Sequence, residues 1–339
     1  MRLLVTGGAG FIGANFIRYV LEETDDVRVT NLDALTYAGN LASLANVEDD
    51  RRYRFVQGDV CDSAVVERLV AEADAVVHFA AESHVDRSIE GPAEFLRTNV
   101  LGAGVVFDAA RRYEVDRCLH ISTDEVYGSI AEPGSFTESD PLAPNSPYSA
   151  SKASADLLAR AYTRTYGYPI TVTRTTNNFG PYHHPEKIIP LFITRLIAGG
   201  TVPLYGDGSN VRDWTYVLDN VAAQWLALTE GEPGKVYNVG AGNELSNKQL
   251  TYAILARFGL TGAAADERIE FVPDRPGHDQ RYSVDASEVR ALGWSPSLDL
   301  EQALDDTVSW YREHESWWRP LVERGATSRR GVTGTAAKR

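Results

Sequence analysis

Cysteine is scarce: Cys61 and Cys118 are the only two in 339 residues. That excludes a disulfide framework or a cysteine metal site and suits a reducing cytoplasm. The plainer reading of both is a small buried hydrophobe. Long apolar runs are missing too. The richest window, 188–193, contains Pro190, far short of the ~18 apolar residues a membrane helix needs. Met1-Arg2-Leu3-Leu4-Val5 runs straight into glycines, so no signal-peptide core is expected. Positive charge is short as well. With 33 Lys+Arg against 47 Asp+Glu the formal charge is −14, which argues against a nucleic-acid backbone as the main partner. Residues 325–339 hold four bases (Arg329, Arg330, Lys338, Arg339) and no acid, leaving about −18 on the rest. An anionic ligand must therefore be met by a local cluster of cations. His78, His84, His183 and His184 lack acids or cysteines at ligand spacing, and no metal is expected.

What is present is alternation. Apolar runs over 2–6, 27–32, 53–57, 75–79, 117–122 and 170–173 read as strands, several of them too apolar to face water on either side. Amphipathic stretches over 11–22, 63–71, 92–113 and 147–166 separate them. The pattern predicts an α/β fold with a doubly wound parallel (Rossmann) sheet. After residue 175, Pro181, Pro185, Pro190 and Pro203 and the glycine turns change the texture, with shorter helices over 219–228, 247–258, 287–292 and 300–313. The expected division is 1–175 mainly for cofactor and 176–322 mainly a smaller α/β substrate lobe, some crossover included. Residues 323–339 are expected to be a disordered tail.

Thr6-Gly7-Gly8-Ala9-Gly10-Phe11-Ile12-Gly13 joins the first strand to the first helix. The glycines fit both G-x-G-x-x-G and G-x-x-G-x-x-G, a turn that lets a pyrophosphate approach a helix N-terminus. Twenty residues on, Asp33 ends the second strand, where a carboxylate accepts from ribose hydroxyls and repels a 2′-phosphate. NAD is favoured over NADP. Gly58-Asp59-Val60 and Ala80-Ala81-Glu82-Ser83 follow strands three and four, at the carboxyl ends of strands where cofactors sit in this architecture.

Tyr148-Ser149-Ala150-Ser151-Lys152 puts a phenol and an ammonium on one helix face. A nearby cation is expected to lower the phenol toward a usable base. Ser122-Thr123-Asp124-Glu125 ends the preceding strand. Thr123 can share a substrate hydroxyl with Tyr148, and the adjacent carboxylates can supply an acid and a base if their environments differ.

Together these features resemble the extended short-chain dehydrogenase/reductases. Ala81–Ser88, Thr123–Gly128, Asn177–Tyr182, His184–Lys187, Pro203–Gly208 and Asp274–Asp279 resemble, within them, the dTDP-glucose 4,6-dehydratase family. The resemblance spans roughly residues 1–320, with Phe179 in place of a usual Tyr and Thr175-Thr176 before the paired asparagines. It implies a lyase cycle that oxidises C4 of dTDP-glucose, eliminates water across C5 and C6, and returns the hydride to C6. Tyr148 would take the C4 hydroxyl proton, Glu125 the C5 proton, and a protonated Asp124 would release the C6 hydroxyl, with Thr123 and Lys152 completing the catalytic set. Implied cofactor contacts are Gly7, Gly10, Phe11, Ile12, Gly13, Asp33, Ala34, Leu35, Thr36, Asp59, Val60, Phe79, Ala80, Ala81, Ser83, Thr98, Tyr148, Lys152 and Asn178. Implied substrate contacts are Ser83, Thr123, Asn177, Lys187, Ile188, Pro203, Leu204, Tyr205, Arg212, Asn247, Asp274, Arg275, Pro276, Gly277 and His278. Arg281 is a further candidate cation, and Tyr205 a candidate to pack on the base. A homodimer through 92–113 and 147–166 is also implied.

The rivals are a nucleotide-sugar epimerase, a decarboxylase, and a non-catalytic NAD(H)-binding sensor. An epimerase needs no acid to expel water. A decarboxylase must bind a carboxylate where Asp124 and Glu125 would repel it. A sensor needs only the cofactor loop. Asp33 argues against the NADP of the GDP-mannose dehydratases.

Overall fold

The structure is a computed structural model that describes residues 1–333, with side chains described through Arg324. Strands β1 (Arg2–Thr6), β2 (Arg28–Asp33), β3 (Tyr53–Gln57), β4 (Ala75–His78), β5 (Arg117–Thr123) and β6 (Thr171–Thr175) come from the first half. Later come β7 (Asn177–Phe179), β8 (Val202–Tyr205), β9 (Val211–Tyr216), β10 (Val236–Val239), β11 (Glu244–Ser246) and β12 (Ile269–Val272). The main sheet has seven strands in the order β10-β6-β5-β4-β1-β2-β3, all parallel. This is the expected doubly wound sheet. The order reverses between β1 and β4, so the loops after those strands diverge and open a crevice.

Burial on both faces explains the apolar strands. Phe11–Glu23 and Val217–Thr229 cover one face, packing Phe16, Ile17, Val20 and Val221 onto Leu3, Val5 and Val77. The opposite face takes Val66, Val106, Phe107 and Ala155 against Leu4 and Val76. A second core around Phe192, Trp214, Ile254 and Tyr311 builds the smaller lobe. There β11-β9-β7 and β12-β8 form two small sheets. Strand β10 comes from the second half of the sequence yet completes the main sheet beside β6.

One expected helix, 92–113, is broken. It runs as Pro92–Phe95, a π segment Leu96–Gly102 and then Ala103–Arg112. The wider turn lets Asn99 face inward, a use of π turns common near functional sites. Its Oδ1 accepts from the Glu82 amide at 2.8 Å, while its Nδ2 donates to the Glu82 carbonyl at 2.9 Å and to Ser151 Oγ at 2.8 Å. Of the expected disordered tail, residues through Thr333 instead continue the last helix, Glu315–Thr333. Extending a formed helix fixes one residue per added hydrogen bond, which overrides weak propensity. Residues 334–339 lie outside the described residues.

Candidate active site

One cavity of about 790 Å³ runs from the glycine loop, past the ends of β4 and β5, to the smaller lobe. At its first end, Gly10 precedes the helix Phe11–Glu23 and offers no capping side chain, so the first helical N–H groups face the crevice. A Cβ on Gly10 would meet only the Gly7 carbonyl, at 3.2 Å. The free space on its cavity side is what a pyrophosphate requires. Asp33 is 8% exposed and lies on the wall. Its Oδ2 accepts from the Ala9 amide at 2.9 Å and its Oδ1 from the Leu35 amide at 2.8 Å, which fixes the carboxylate. Burial raises its pKa and the two amides pull it back. Asn177 Oδ1 and Asn178 Oδ1 are buried acceptors without a partner among the described residues. A glycine cradle, an oriented carboxylate and spare amide oxygens fit a dinucleotide.

Strand β5 delivers the reactive groups because it ends at Thr123, whose hydroxyl caps the single 3₁₀ turn Asp124–Tyr127. Ser146 caps the helix Pro147–Tyr166, which carries Tyr148 and Lys152 one turn apart on the cavity side. Tyr148 and Thr123 line the same stretch of the cavity, where Thr123 opposes the rise of the phenol. Thr123 Oγ1 donates to Asp124 Oδ1 at 3.2 Å and accepts from the Glu125 amide at 3.3 Å. Asp124 is 2% exposed, and its Oδ2 has no partner among the described residues. Burial, then the Glu125 charge, pushes its carboxyl well above the usual range, with Arg212 pulling the other way. Burial also raises Glu125, while Arg275, Arg212 and Lys187 pull it down. The two acids are thus set apart: Asp124 sits behind Thr123, and Glu125 is half-buried on the cavity wall inside a ring of cations.

The expected effect of Lys152 on Tyr148 is not what the structure shows. Lys152 Nζ donates to the Ile121 carbonyl at 2.6 Å. Burial lowers its own pKa to about 8, partly offset by Asp156. The phenol is pushed well above its ordinary value, first by burial and then by the Glu125 and Asp124 charges, with Thr123 opposing. Proximity along a helix does not outweigh desolvation when the two polar heads point to different partners.

The candidate cations separate in the same way. Arg212 is 4% exposed and donates to main-chain carbonyls, those of Val211 at 2.7 Å and Asp279 at 2.9 Å. Its guanidinium lies 4.1 Å over the Tyr282 ring. Lys187 Nζ donates to the Ser83 carbonyl at 2.8 Å. Arg275 reaches Asp86 at 3.4 Å and keeps a buried Nε without a partner among the described residues. Arg281 does not join them. Glu244 takes it in two bonds of 2.7 and 2.8 Å, away from the cavity.

Most expected contacts line this cavity, including Ala34, Thr36, Asp59, Val60, Thr98, Ile188, Pro203, Leu204 and Asn247. Leu35, Asp274, Pro276 and Gly277 do not. Leu35 instead takes φ +53 and orients Asp33. Asp274 is drawn to His278 Nδ1 at 2.6 Å. The Tyr205 hydroxyl donates to Asp86 at 3.2 Å. Sequence reasoning missed Tyr37, Tyr282 and the Arg87–Glu186 pair (2.9 Å) with His84 and His184 around it. His84 and Arg87 belong to the start of the helix Val85–Glu90, His184 and Glu186 to the stretch before Ile188–Ile197, and Tyr37 and Tyr282 to two further segments, so no local spacing announces their meeting. Among the described residues no cluster of His, Cys, Asp or Glu is placed to hold a metal ion.

A dinucleotide cradle facing a Thr–Tyr–Lys set across one crevice is the arrangement of an extended short-chain dehydrogenase/reductase. Residues 4–307 match the family described as GDP-mannose 4,6 dehydratase. Agl12 of Haloferax volcanii, a low-salt glycan biosynthesis protein, is 56% identical over 92% of this chain and 98% of its own. The dTDP-glucose 4,6-dehydratase of Streptomyces niveus is 52% identical over 95% of this chain and 96% of its own. DesIV, a dTDP-glucose 4,6-dehydratase of Streptomyces venezuelae crystallised with NAD and TYD bound, superposes with a TM-score of 0.91. It is 52% identical, covering 95% of this chain and 100% of DesIV. The chain belongs to this family of nucleotide-sugar 4,6-dehydratases, on the side of the dTDP-glucose enzymes.

Proposed function

We propose that the chain is an NAD-dependent hydro-lyase converting dTDP-glucose to dTDP-4-keto-6-deoxy-glucose in deoxysugar biosynthesis. The observation that carries this reading is a pair of adjacent carboxyls held in different environments beside Thr123 and Tyr148. NAD⁺, when bound, accepts hydride from C4 of the sugar and returns it to C6, so the cycle is redox neutral. Tyr148 Oη takes the C4 hydroxyl proton. The resulting ketone acidifies C5, and Glu125, reachable from the cavity, removes that proton. Asp124, kept protonated by burial, gives its proton to the departing C6 hydroxyl. Lys187, Arg212 and Arg275 hold the diphosphate, the last two through planar forks suited to its oxygens. Ser83 and Asn177 hold the sugar, Asn178 the nicotinamide end, and Asp33 the ribose hydroxyls.

Residues 1–175 with β10 hold mainly the cofactor and the remainder of 176–322 mainly the nucleotide sugar, with Ser83 and Asn178 crossing over. The enzyme is a cytoplasmic homodimer. Leu96, Leu101 and Leu157, more than half exposed on the segments 92–113 and 147–166, support that pairing face. Two free thiols support a reducing compartment. No helix of the described residues is long and apolar enough to cross a membrane.

Incubation with dTDP-glucose in deuterated water tests the activity. The expected product is the 4-keto-6-deoxy sugar with deuterium at C5, read by mass and NMR. Unchanged sugar or a C4 epimer alone would sink the proposal. Asp33→Asn is expected to weaken NAD binding while raising the relative affinity for NADP, because the repulsion of a 2′-phosphate is gone. Paired titrations with the two cofactors measure it, and an unchanged ratio removes Asp33 from the ribose site.

A further inference from the structure

We propose that Tyr282 and Asn145 hold the Asp279 carboxylate off Arg212, and so reserve that guanidinium for the diphosphate of the nucleotide sugar. The inference deepens the dehydratase reading and rests on the part of it that places Arg212 at the diphosphate. Composition sets the difficulty. In a chain of net charge −14, a cation meant for an external anion must first be kept from the chain's own acids. Arg281 is not kept from them, since Glu244 takes it in two bonds. Arg275 is drawn to Asp86 at 3.4 Å. Arg212 escapes that fate.

The local backbone explains how. Residues 280–282 run beside the start of β9: the Val211 amide donates to the Gln280 carbonyl at 2.8 Å, and the Tyr282 amide to the Val211 carbonyl at 3.4 Å. Extended residues alternate in direction. Arg281 therefore turns to Glu244, while Tyr282 turns to the cavity, where the Arg212 guanidinium lies 4.1 Å over its ring. Among the described residues the hydrogen bonds of Arg212 all end on carbonyls, those of Val211 at 2.7 Å, Asp279 at 2.9 Å and Gln280 at 3.5 Å. A ring face and neutral carbonyls orient a guanidinium without cancelling its charge. The charge is left for an anion in the cavity.

Asp279 is the acid that threatens this arrangement. Its main-chain oxygen already touches Arg212, and at 7% exposure water does not hold its carboxylate elsewhere. Two side chains do. The Tyr282 hydroxyl donates to Oδ2 at 2.7 Å, and Asn145 Nδ2 donates to Oδ1 at 2.6 Å. With a donor on each oxygen the carboxylate is committed, and Asp279 meets Arg212 through its neutral carbonyl. Burial, then the Glu125 charge, pushes the Tyr282 phenol well above its ordinary value, so the hydroxyl keeps the proton it donates. Arg212 and Tyr282 line the cavity, whereas Asp279 and Asn145 stand behind it. Asn145 and Asp279 are thus positioning residues that act through Arg212.

The test titrates dTDP calorimetrically into NAD-loaded wild type, Tyr282→Phe, Asp279→Asn and the double variant. Tyr282→Phe keeps the ring under Arg212 and frees the Asp279 carboxylate. Its Kd for dTDP is expected to rise by roughly 10- to 100-fold, the range for losing a charged hydrogen-bonded contact. Adding Asp279→Asn removes the competing charge and is expected to bring the Kd back close to the wild-type value. Asp279→Asn alone is expected to bind dTDP at least as tightly as wild type. If Asp279 merely supports the fold, its asparagine variant binds more weakly and the double variant is weaker than either. That pattern, or a Tyr282→Phe variant that binds like wild type, overturns the proposal. Asn145→Ala frees the other carboxylate oxygen and reports the same rescue should Tyr282→Phe misfold. Wild type that binds dTDP yet leaves dTDP-glucose unchanged defeats the dehydratase reading, while the rescue pattern still decides the shielding of Arg212.

Discussion

Asp124→Asn is expected to slow water loss by about 10²–10⁴-fold while leaving C4 oxidation in the first turnover nearly intact, because the amide cannot supply a proton to the leaving hydroxyl. Quenched-flow samples should then contain the 4-keto sugar with its C6 hydroxyl still attached. Equal loss of oxidation and elimination would contradict the assigned role. The same substitution should stabilise the fold. The folded carboxyl binds its proton more tightly than the unfolded one, since burial raises it well above the usual range. Between the unfolded value near ~3.9 and the folded value, the native state holds more protons and stability falls as pH rises. The Asp124→Asn variant escapes that loss, so the gap in melting temperature between variant and wild type should widen from about pH 4 upward. A pH series of thermal melts measures it, and a gap that is flat or narrows would mean that Asp124 is not held protonated. A site that gains stability when its acid is removed is a site built for chemistry.

Gly7→Ala is expected to abolish cofactor binding and cost several kcal/mol of stability. The residue sits at φ +74, and an added Cβ would lie 2.5 Å from the Ala80 nitrogen, 2.6 Å from its Cα and 2.9 Å from the Phe79 carbonyl carbon. All three atoms are backbone in the segment that follows β4, so no side chain can swing aside. Left-handed strain of roughly 1–2 kcal/mol adds to overpacking of roughly 1–3 kcal/mol. That is a large part of the ~5–15 kcal/mol a domain has in hand. Gly242→Ala is the control: φ is +81, but nothing lies within 4 Å. Only the conformational part, roughly 1–2 kcal/mol, remains there. Urea midpoints and calorimetric titration with NAD separate the two variants. Equal losses would show that crowding against Ala80, the feature that shapes the cradle, is not the constraint.

Much of this molecule is legible in the order of its residues. The strands over 2–6 and 53–57 and the helices over 147–166 and 300–313 have the bounds that apolar periodicity indicates. Local patterns announce these because each element buries a face whose spacing is written in consecutive residues. The helix Ile188–Ile197 of the smaller lobe is masked by Pro190, which reads as a break in the sequence but sits in the first turn, where a helix tolerates it. The π segment Leu96–Gly102 is equally silent, since its cause is the inward pull of Asn99 on a distant loop.

The site divides along the same line. Residue order determined which chemical groups exist and which elements carry them: the glycine turn, the acid after β2, the Thr-Asp-Glu strand end and the Tyr–Lys helix. Those are short-range facts. Tertiary structure decided what state each group is in. It buried Asp124 and left Glu125 on the cavity wall, turned Lys152 to the Ile121 carbonyl, and gave Arg281 to Glu244 while leaving Arg212 facing the cavity. Desolvation and long-range pairing set those states. Both depend on which distant segments pack around a group, and nothing in its immediate neighbours along the chain carries that information.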